Sequence, residues 1–205
     1  MDVQYINKIY LEGTVASEMY DVEELPAGET IQSFDLSVPR ESGAFDIITV
    51  RVSNRLLNYT DIFEGNTISV DGMIRSRRVK GVFHPKIQYV VFCQSVNEVE
   101  CINLQKNNVC EIRGTLTQKP IHRNAKNSDR KLCELKVVTK HTRGKEYIIH
   151  AIAWGRYASY SKDLPKDTVV YMLGRLQRRG YYSTLEGARK FAYEVSVSTI
   201  RKEDK

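Results

Sequence analysis

The sequence predicts an all-β protein made of two tandem five-stranded barrels. Three observations carry that reading: a long internal repeat, period-two apolar alternation, and one helical stretch at the same place in each copy. Asn7-Lys8-Ile9-Tyr10-Leu11-Glu12-Gly13-Thr14 aligns with Asn108-Val109-Cys110-Glu111-Ile112-Arg113-Gly114-Thr115, a shift of 101 residues from Gly13 to Gly114. The same shift carries Phe34-Asp35-Leu36 onto Leu135-Lys136-Val137, Ile47-Ile48 onto Ile148-Ile149 and Arg55 onto Arg156. It drifts to 102 at Gly72 and Gly174 and to 104 at Tyr89 and Tyr193, as small loop insertions would produce. A period near one hundred residues describes two domains, 1–103 and 104–205, each large enough to bury its own core.

In each copy the first strand contains a glycine, Gly13 or Gly114, where a bend or bulge can help close a small barrel. The second and third strands form a hairpin. Phe34, Leu36 and Val38 alternate with polar residues, Ser42-Gly43 turns the chain, and Ile48, Val50 and Val52 alternate again. The second copy repeats this with Cys133, Leu135 and Val137 before a turn at Thr142-Arg143-Gly144-Lys145. Residues 54–63 and 156–164 lack alternation and contain helix formers, so each predicts one short helix. Residues 67–75 and 168–177 read as fourth strands, and 88–96 and 193–200 as fifth. Three strands, a helix and two strands is the order of an OB-fold barrel, with its helix between strands 3 and 4. An antiparallel sandwich would explain the alternation but not a single helix placed twice.

Composition narrows the function. Cys93, Cys101, Cys110 and Cys133 form no Cys-x-x-Cys pair and have no His at ligand spacing, which predicts reduced, mostly buried thiols. The chain opens without a basic-apolar leader and has no apolar run of spanning length, so a soluble cytoplasmic protein away from membranes is expected. Phosphate loops, His-x-x-x-His pairs, nucleophile elbows and acidic metal pairs are missing, so neither an enzyme nor a cofactor nor a metal is expected. His84, His122, His141 and His150 are scattered and read as surface residues. The net charge of +6 is unevenly divided: residues 1–103 hold 9 Lys and Arg against 15 Asp and Glu, whereas residues 104–205 hold 22 against 10. A basic copy fused to an acidic one points to polyanion binding by the second, unless the surfaces have simply drifted.

The repeat also orients the second copy's third strand. Ile48 faces inward and aligns with Ile149, so Ala151 and Ala153 should pack inside while His150, Ile152 and Trp154 face out. Trp154, the only tryptophan, could be covered by the following helix or by a subunit. On an open barrel face it would instead accept a stacked base, worth about 1 to 3 kcal/mol. Arg175, Arg178, Arg179, Tyr181 and Tyr182 interleave cations with rings in the fourth strand and the loop leaving it, as a single-strand track requires. Lys136, Lys140, Arg143 and Lys145 extend the basic surface around the hairpin, and His122, Arg123, Lys126, Arg130 and Lys131 decorate a long polar loop. The first copy replaces Trp154 by Ser53, Tyr181 by Val79 and Lys136 by Asp35, leaving a polar outward face. Arg75, Arg77, Arg78 and Lys80 keep its fourth strand basic.

Asn108 to Thr117, Ile148 to Ala158 with Trp154-Gly155-Arg156-Tyr157-Ala158, and Gly174-Arg175-Leu176-Gln177-Arg178-Arg179 followed by Tyr181 resemble the bacterial and phage single-stranded DNA-binding protein family, in its form with two OB folds per chain. The resemblance covers nearly all of the second copy and extends faintly over the first. It implies that Trp154 and Tyr181 stack on bases, that Ile148 occupies a usually aromatic position, and that four OB folds assemble by homodimerisation. Arg113 and Arg156, which lie in these segments, complete the candidate contacts. The chain ends at Arg201-Lys202-Glu203-Asp204-Lys205 instead of the family's acidic recruiting tail, so replication or recombination proteins remain possible partners but recruitment through such a tip is not expected. The expected function is sequence-independent single-stranded DNA binding in replication, recombination or repair, near the nucleoid. The alternative is a primosome-type or recombination accessory acting mainly through protein contacts, similar to primosomal replication protein N.

Overall fold

The computed structural model describes residues 3–25, 28–57, 62–79, 86–124, 129–141, 144–183 and 187–204, with backbone alone at 77–79, 86–87, 181–183 and 188–190. It divides into two compact units, Lys8–Val109 and Cys110–Lys205, the second joined by the N-terminal segment through Asn7. Within that second unit the Asn7 amide donates to Thr139 Oγ1 at 3.2 Å.

The first barrel is built from β1 (Ile6–Val15), β3 (Thr30–Pro39), β4 (Phe45–Ser53), β5 (Thr67–Val79) and β6 (Lys86–Glu98). The sheet runs β1-β5-β6-β4-β3 and closes where Thr14 and Val15 of β1 pair with Ser37 and Leu36 of β3. Among the described residues of this barrel, only β4 and β6 run parallel, Val50 opposite Val91. The second barrel repeats this with β7 (Asn108–Leu116), β9 (Lys131–Lys140), β10 (Glu146–Trp154), β11 (Val169–Ser183) and β12 (Ala188–Glu203). It closes between β7 and β9, and its parallel pair is β10 with β12. This connectivity, with short helices α1 (Asn54–Leu57) and α2 (Arg156–Ser161) between the third and fourth barrel strands, is the predicted OB fold.

The alternation sorts the residues as expected. Phe34, Leu36, Ile48, Val50 and Val52 are fully buried in one core, and Cys133, Leu135, Val137, Ile149, Ala151 and Ala153 line the other. Each large aliphatic placed there contributes roughly 1.5 to 3 kcal/mol of transfer free energy. Both hairpin turns rest on a left-handed glycine, Gly43 at φ 80° and Gly144 at φ 79°. Cys93, Cys110 and Cys133 are buried free thiols, and Cys101 is exposed. Burial pushes the Cys93 thiol up to about 12 and Cys133 up to about 11, so neither is a thiolate at neutral pH.

Four expectations need correction. Each copy has a sixth strand, β2 (Tyr20–Glu24) and β8 (Ile121–Asn124), which adds to the outer edge of β3 or β9. These short strands are exposed on both faces, so they carry no alternation signal. The fourth and fifth strands are longer than read, because β5–β6 and β11–β12 project as ribbons, and Arg178, Arg179, Tyr181 and Tyr182 all lie in β11 with none in a loop. Helix α1 spans four residues, its expected continuation at 58–61 lying outside the described residues. Gly114 is required by close approach and not by a bulge: a Cβ there would sit 2.4 Å from the Val138 carbonyl oxygen, while the register shifts fall at Asp71/Gly72 and Leu173/Gly174.

Candidate nucleic-acid interface

Backbone pairing fixes which side chains share the second barrel's outer face. One register row crosses five strands: Ile121 on β8, Glu134 on β9, Ile152 on β10, Ser196 on β12 and Arg175 on β11. Laterally paired residues point to the same side. Their neighbours Leu135, Ala151, Ala153, Val195 and Leu176 are buried, so this row faces out. The adjacent rows place Lys136 opposite His150, Gln177 opposite Glu194, and Leu132 opposite Trp154.

Between these rows lies a cleft of about 320 Å³, lined on its floor by Lys136, His150, Ile152 and Glu194 and on its rim by Arg123 and Arg179. His150 is half-buried, and burial together with the Lys136 ammonium holds its imidazole below the ordinary value. It is therefore largely neutral near pH 7 and can both donate and accept a hydrogen bond. Arg123 and Glu134 approach to 3.6 Å across the mouth. Glu194 is 4% exposed, with Arg179 Nε at 3.1 Å and Gln177 Nε2 donating at 3.2 Å. Burial raises its carboxyl while Arg179 and Gln177 oppose the rise.

Trp154 faces outward as the repeat implies, but it is half-buried beyond the cleft, beside Leu132, which is buried. Ile152, expected to be outward, shares that face yet is buried. Lys140 lies farther along the face, ion-paired with Glu146 at 2.9 Å and 5.8 Å from the Tyr5 ring centroid. Ile148, paired with Val138, is 40% exposed between Lys140 and Lys136. Lys145 sits by the turn, 5.7 Å from the Tyr147 ring. Arg175 and Arg179 are exposed on the cleft side. Arg178 is on the reverse face of the ribbon, its guanidinium 4.0 Å from the Phe191 ring.

The remaining predicted contacts are elsewhere. Arg113 is spent within the fold: Nε donates to Glu203 at 2.5 Å, and the two Nη groups donate to the Gln4 and Asp204 carbonyls. Arg156 is exposed at the start of α2, 4.8 Å from the Tyr157 ring. Arg143 lies outside the described residues, as do the side chains of Tyr181, Tyr182 and Arg77. Arg75 of the first barrel is half-buried with its guanidinium 3.4 Å from the Phe92 ring centroid. Glu194 and Gln177 were missed by the sequence reading. The signal was present, since buried Val195 and Val197 force Glu194 and Ser196 outward.

No protein-family model and no curated protein sequence matches the chain. Among solved structures it is similar to the wild-type single-stranded DNA binding protein from Thermus aquaticus, with a TM-score of 0.77 and 20% identity over 99% of this chain and 95% of that one. A deletion mutant of the same protein aligns with a TM-score of 0.75 and 19% identity, covering 98% and 96% of the two chains. The fold is that of a two-OB single-stranded DNA-binding protein. The N-terminal domain of PriB protein from Thermoanaerobacter tencongensis aligns with 46% of this chain at a TM-score of 0.40 and 26% identity, too weakly to carry weight. Among the described residues there is no group of three or more His, Cys, Asp or Glu able to hold a metal ion, and no helix long and apolar enough to cross a membrane.

Proposed function

We propose that the chain binds single-stranded DNA, largely without regard to sequence, through the outer face of its second barrel. The observation that carries this is the set of register rows that bring Lys136, His150, Trp154, Arg175 and Arg179 to one face around a cleft. Cations there can follow a phosphate backbone while the exposed edge of Trp154 accepts a base. The charge of residues 104–205 and the names of the similar solved structures support the same reading. A role in replication, recombination or repair in the cytoplasm follows from that activity, with a homodimer presenting four OB folds as the working assembly. The test is Trp154 fluorescence titrated with poly-dT, duplex DNA and RNA at several salt concentrations. Quenching by poly-dT that weakens with salt supports the proposal, and equal or tighter binding of duplex overturns it.

A further inference from the structure

The cleft contains an acid that a phosphate-binding surface does not require. Glu194 is buried, and Arg179, which reaches it through Nε, keeps a side chain 54% exposed at the cleft rim. The charged and titratable groups facing this acid come from four strands. Beside Arg179 and the neutral Gln177 on β11 stand His150 on β10, Lys136 and Glu134 on β9, and Arg123 on β8. A strand laid along the rim therefore meets an arginine that already has a partner.

We propose that Arg179 is exchanged between Glu194 and the DNA: the carboxylate holds it in the free protein, and a phosphate of the bound strand takes it while Glu194 takes up a proton from water. This rests on the single-strand-binding reading above. A carboxylate left buried without its cation is strongly disfavoured, and protonation is its cheapest relief. The neutral acid still accepts from Gln177 through its carbonyl oxygen and gains an O–H to donate. Where Arg179 bridges both anions, the added phosphate charge beside Glu194 acts in the same direction, so the sign does not depend on how far the side chain swings.

Burial already holds the free Glu194 carboxyl above the ordinary carboxylate range. Binding takes up the proton between that value and the higher one in the complex. Affinity rises as pH falls through this window, by at most about tenfold per pH unit for one proton, and levels off below it, where Glu194 is protonated before DNA arrives. His150 is held low by burial and Lys136, and a nearby phosphate would raise it too, so its contribution must be separated.

The experiment measures poly-dT affinity of the full chain at fixed salt from about pH 5 to pH 8, spanning the carboxylate and imidazole ranges, for the wild type, Glu194→Gln, His150→Gln and the double variant. Glu194→Gln should bind more tightly than wild type at high pH and converge with it at low pH, with or without His150. Calorimetry of the wild type in two buffers of different ionisation heat should show proton uptake, which Arg179→Gln should reduce because its Glu194 is already protonated when free. Parallel pH curves for wild type and Glu194→Gln, or weaker binding by Glu194→Gln throughout, would overturn the exchange. Tight poly-dT binding with no proton uptake refutes the exchange alone, whereas failure to bind poly-dT at any pH refutes the DNA-binding reading itself.

Discussion

Arg178 and Arg179 are adjacent in sequence, and their separate replacement tests which face of the β11–β12 ribbon tracks the phosphates. Successive strand residues point to opposite sides. Arg179 stands opposite Ala192 and reaches Glu194 on the cleft side, whereas Arg178 stands opposite Tyr193 and stacks on Phe191. For single strands, each phosphate neutralised adds about 0.7 to the log–log salt slope, which between 50 and 200 mM salt amounts to roughly a 2.6-fold change in affinity. Arg179→Gln should therefore lower the slope by about 0.7. Arg178→Gln should leave it unchanged and instead cost about 0.5 to 1 kcal/mol of stability through the lost cation–π contact. Fluorescence titration with poly-dT at four salt concentrations measures the slope, and a urea melt without DNA measures the stability. If Arg178→Gln lowers the slope as much as Arg179→Gln, the register does not decide which cation meets the backbone.

Three further outcomes are expected. Trp154→Ala should weaken poly-dT binding by about 1 to 3 kcal/mol with the fold retained by circular dichroism; unchanged affinity would make the ring a structural cover for Leu132. Gly114→Ala drives a Cβ to 2.4 Å from the Val138 carbonyl and 2.6 Å from Val137 Cγ1, and should lower the urea midpoint by the equivalent of about 1 to 3 kcal/mol or more, unless the seam between β7 and β9 can widen. Light scattering at micromolar concentration should give twice the chain mass, and a monomer with undiminished poly-dT affinity would show that two barrels suffice.

The barrel strands were legible because their signal is periodic and written twice. Ile149, Ala151 and Ala153 could not be oriented alone, since Ile148, Ile152 and Trp154 compete for the interior, and alignment with Ile48 decided it. What stayed hidden had no period to show. β2 and β8 are edge additions held by backbone pairing, with every residue exposed. The site was legible as a region and not as a network. Lys136, Arg175 and Arg179 were read as cations, but Arg113 carries the same chemistry and is consumed by Glu203, Gln4 and Asp204 at long sequence separation. Charge type marks a candidate, and only tertiary pairing says whether it is available.

The first barrel shows the same rule in reverse. Its equivalent row runs Tyr20, Ser33, Arg51, Phe92 and Met73, so its outer face carries two aromatics where the sequence reading expected a polar one. Several charged and polar groups on that face are engaged within the barrel. Arg51 is ion-paired with Glu23 at 2.5 Å, and Arg75 is stacked on Phe92. Asp35, in the place of Lys136, accepts from Tyr20 Oη at 2.8 Å and from Thr49 Oγ1 at 2.9 Å. Ser53, in the place of Trp154, donates to Glu29 at 2.7 Å. A strand docking here would have to displace its own acidic edge, β2, whose Glu23 already neutralises the arginine a phosphate would seek. Both copies preserve the core that makes the barrel. They differ in how exposed the paired outer-face cations are: Arg179, Arg123 and Lys140 of the second barrel keep 54%, 58% and 44% of their side chains exposed beside their carboxylates, whereas Arg51 of the first keeps 15%, and that difference supports the proposed placement of DNA on the second barrel.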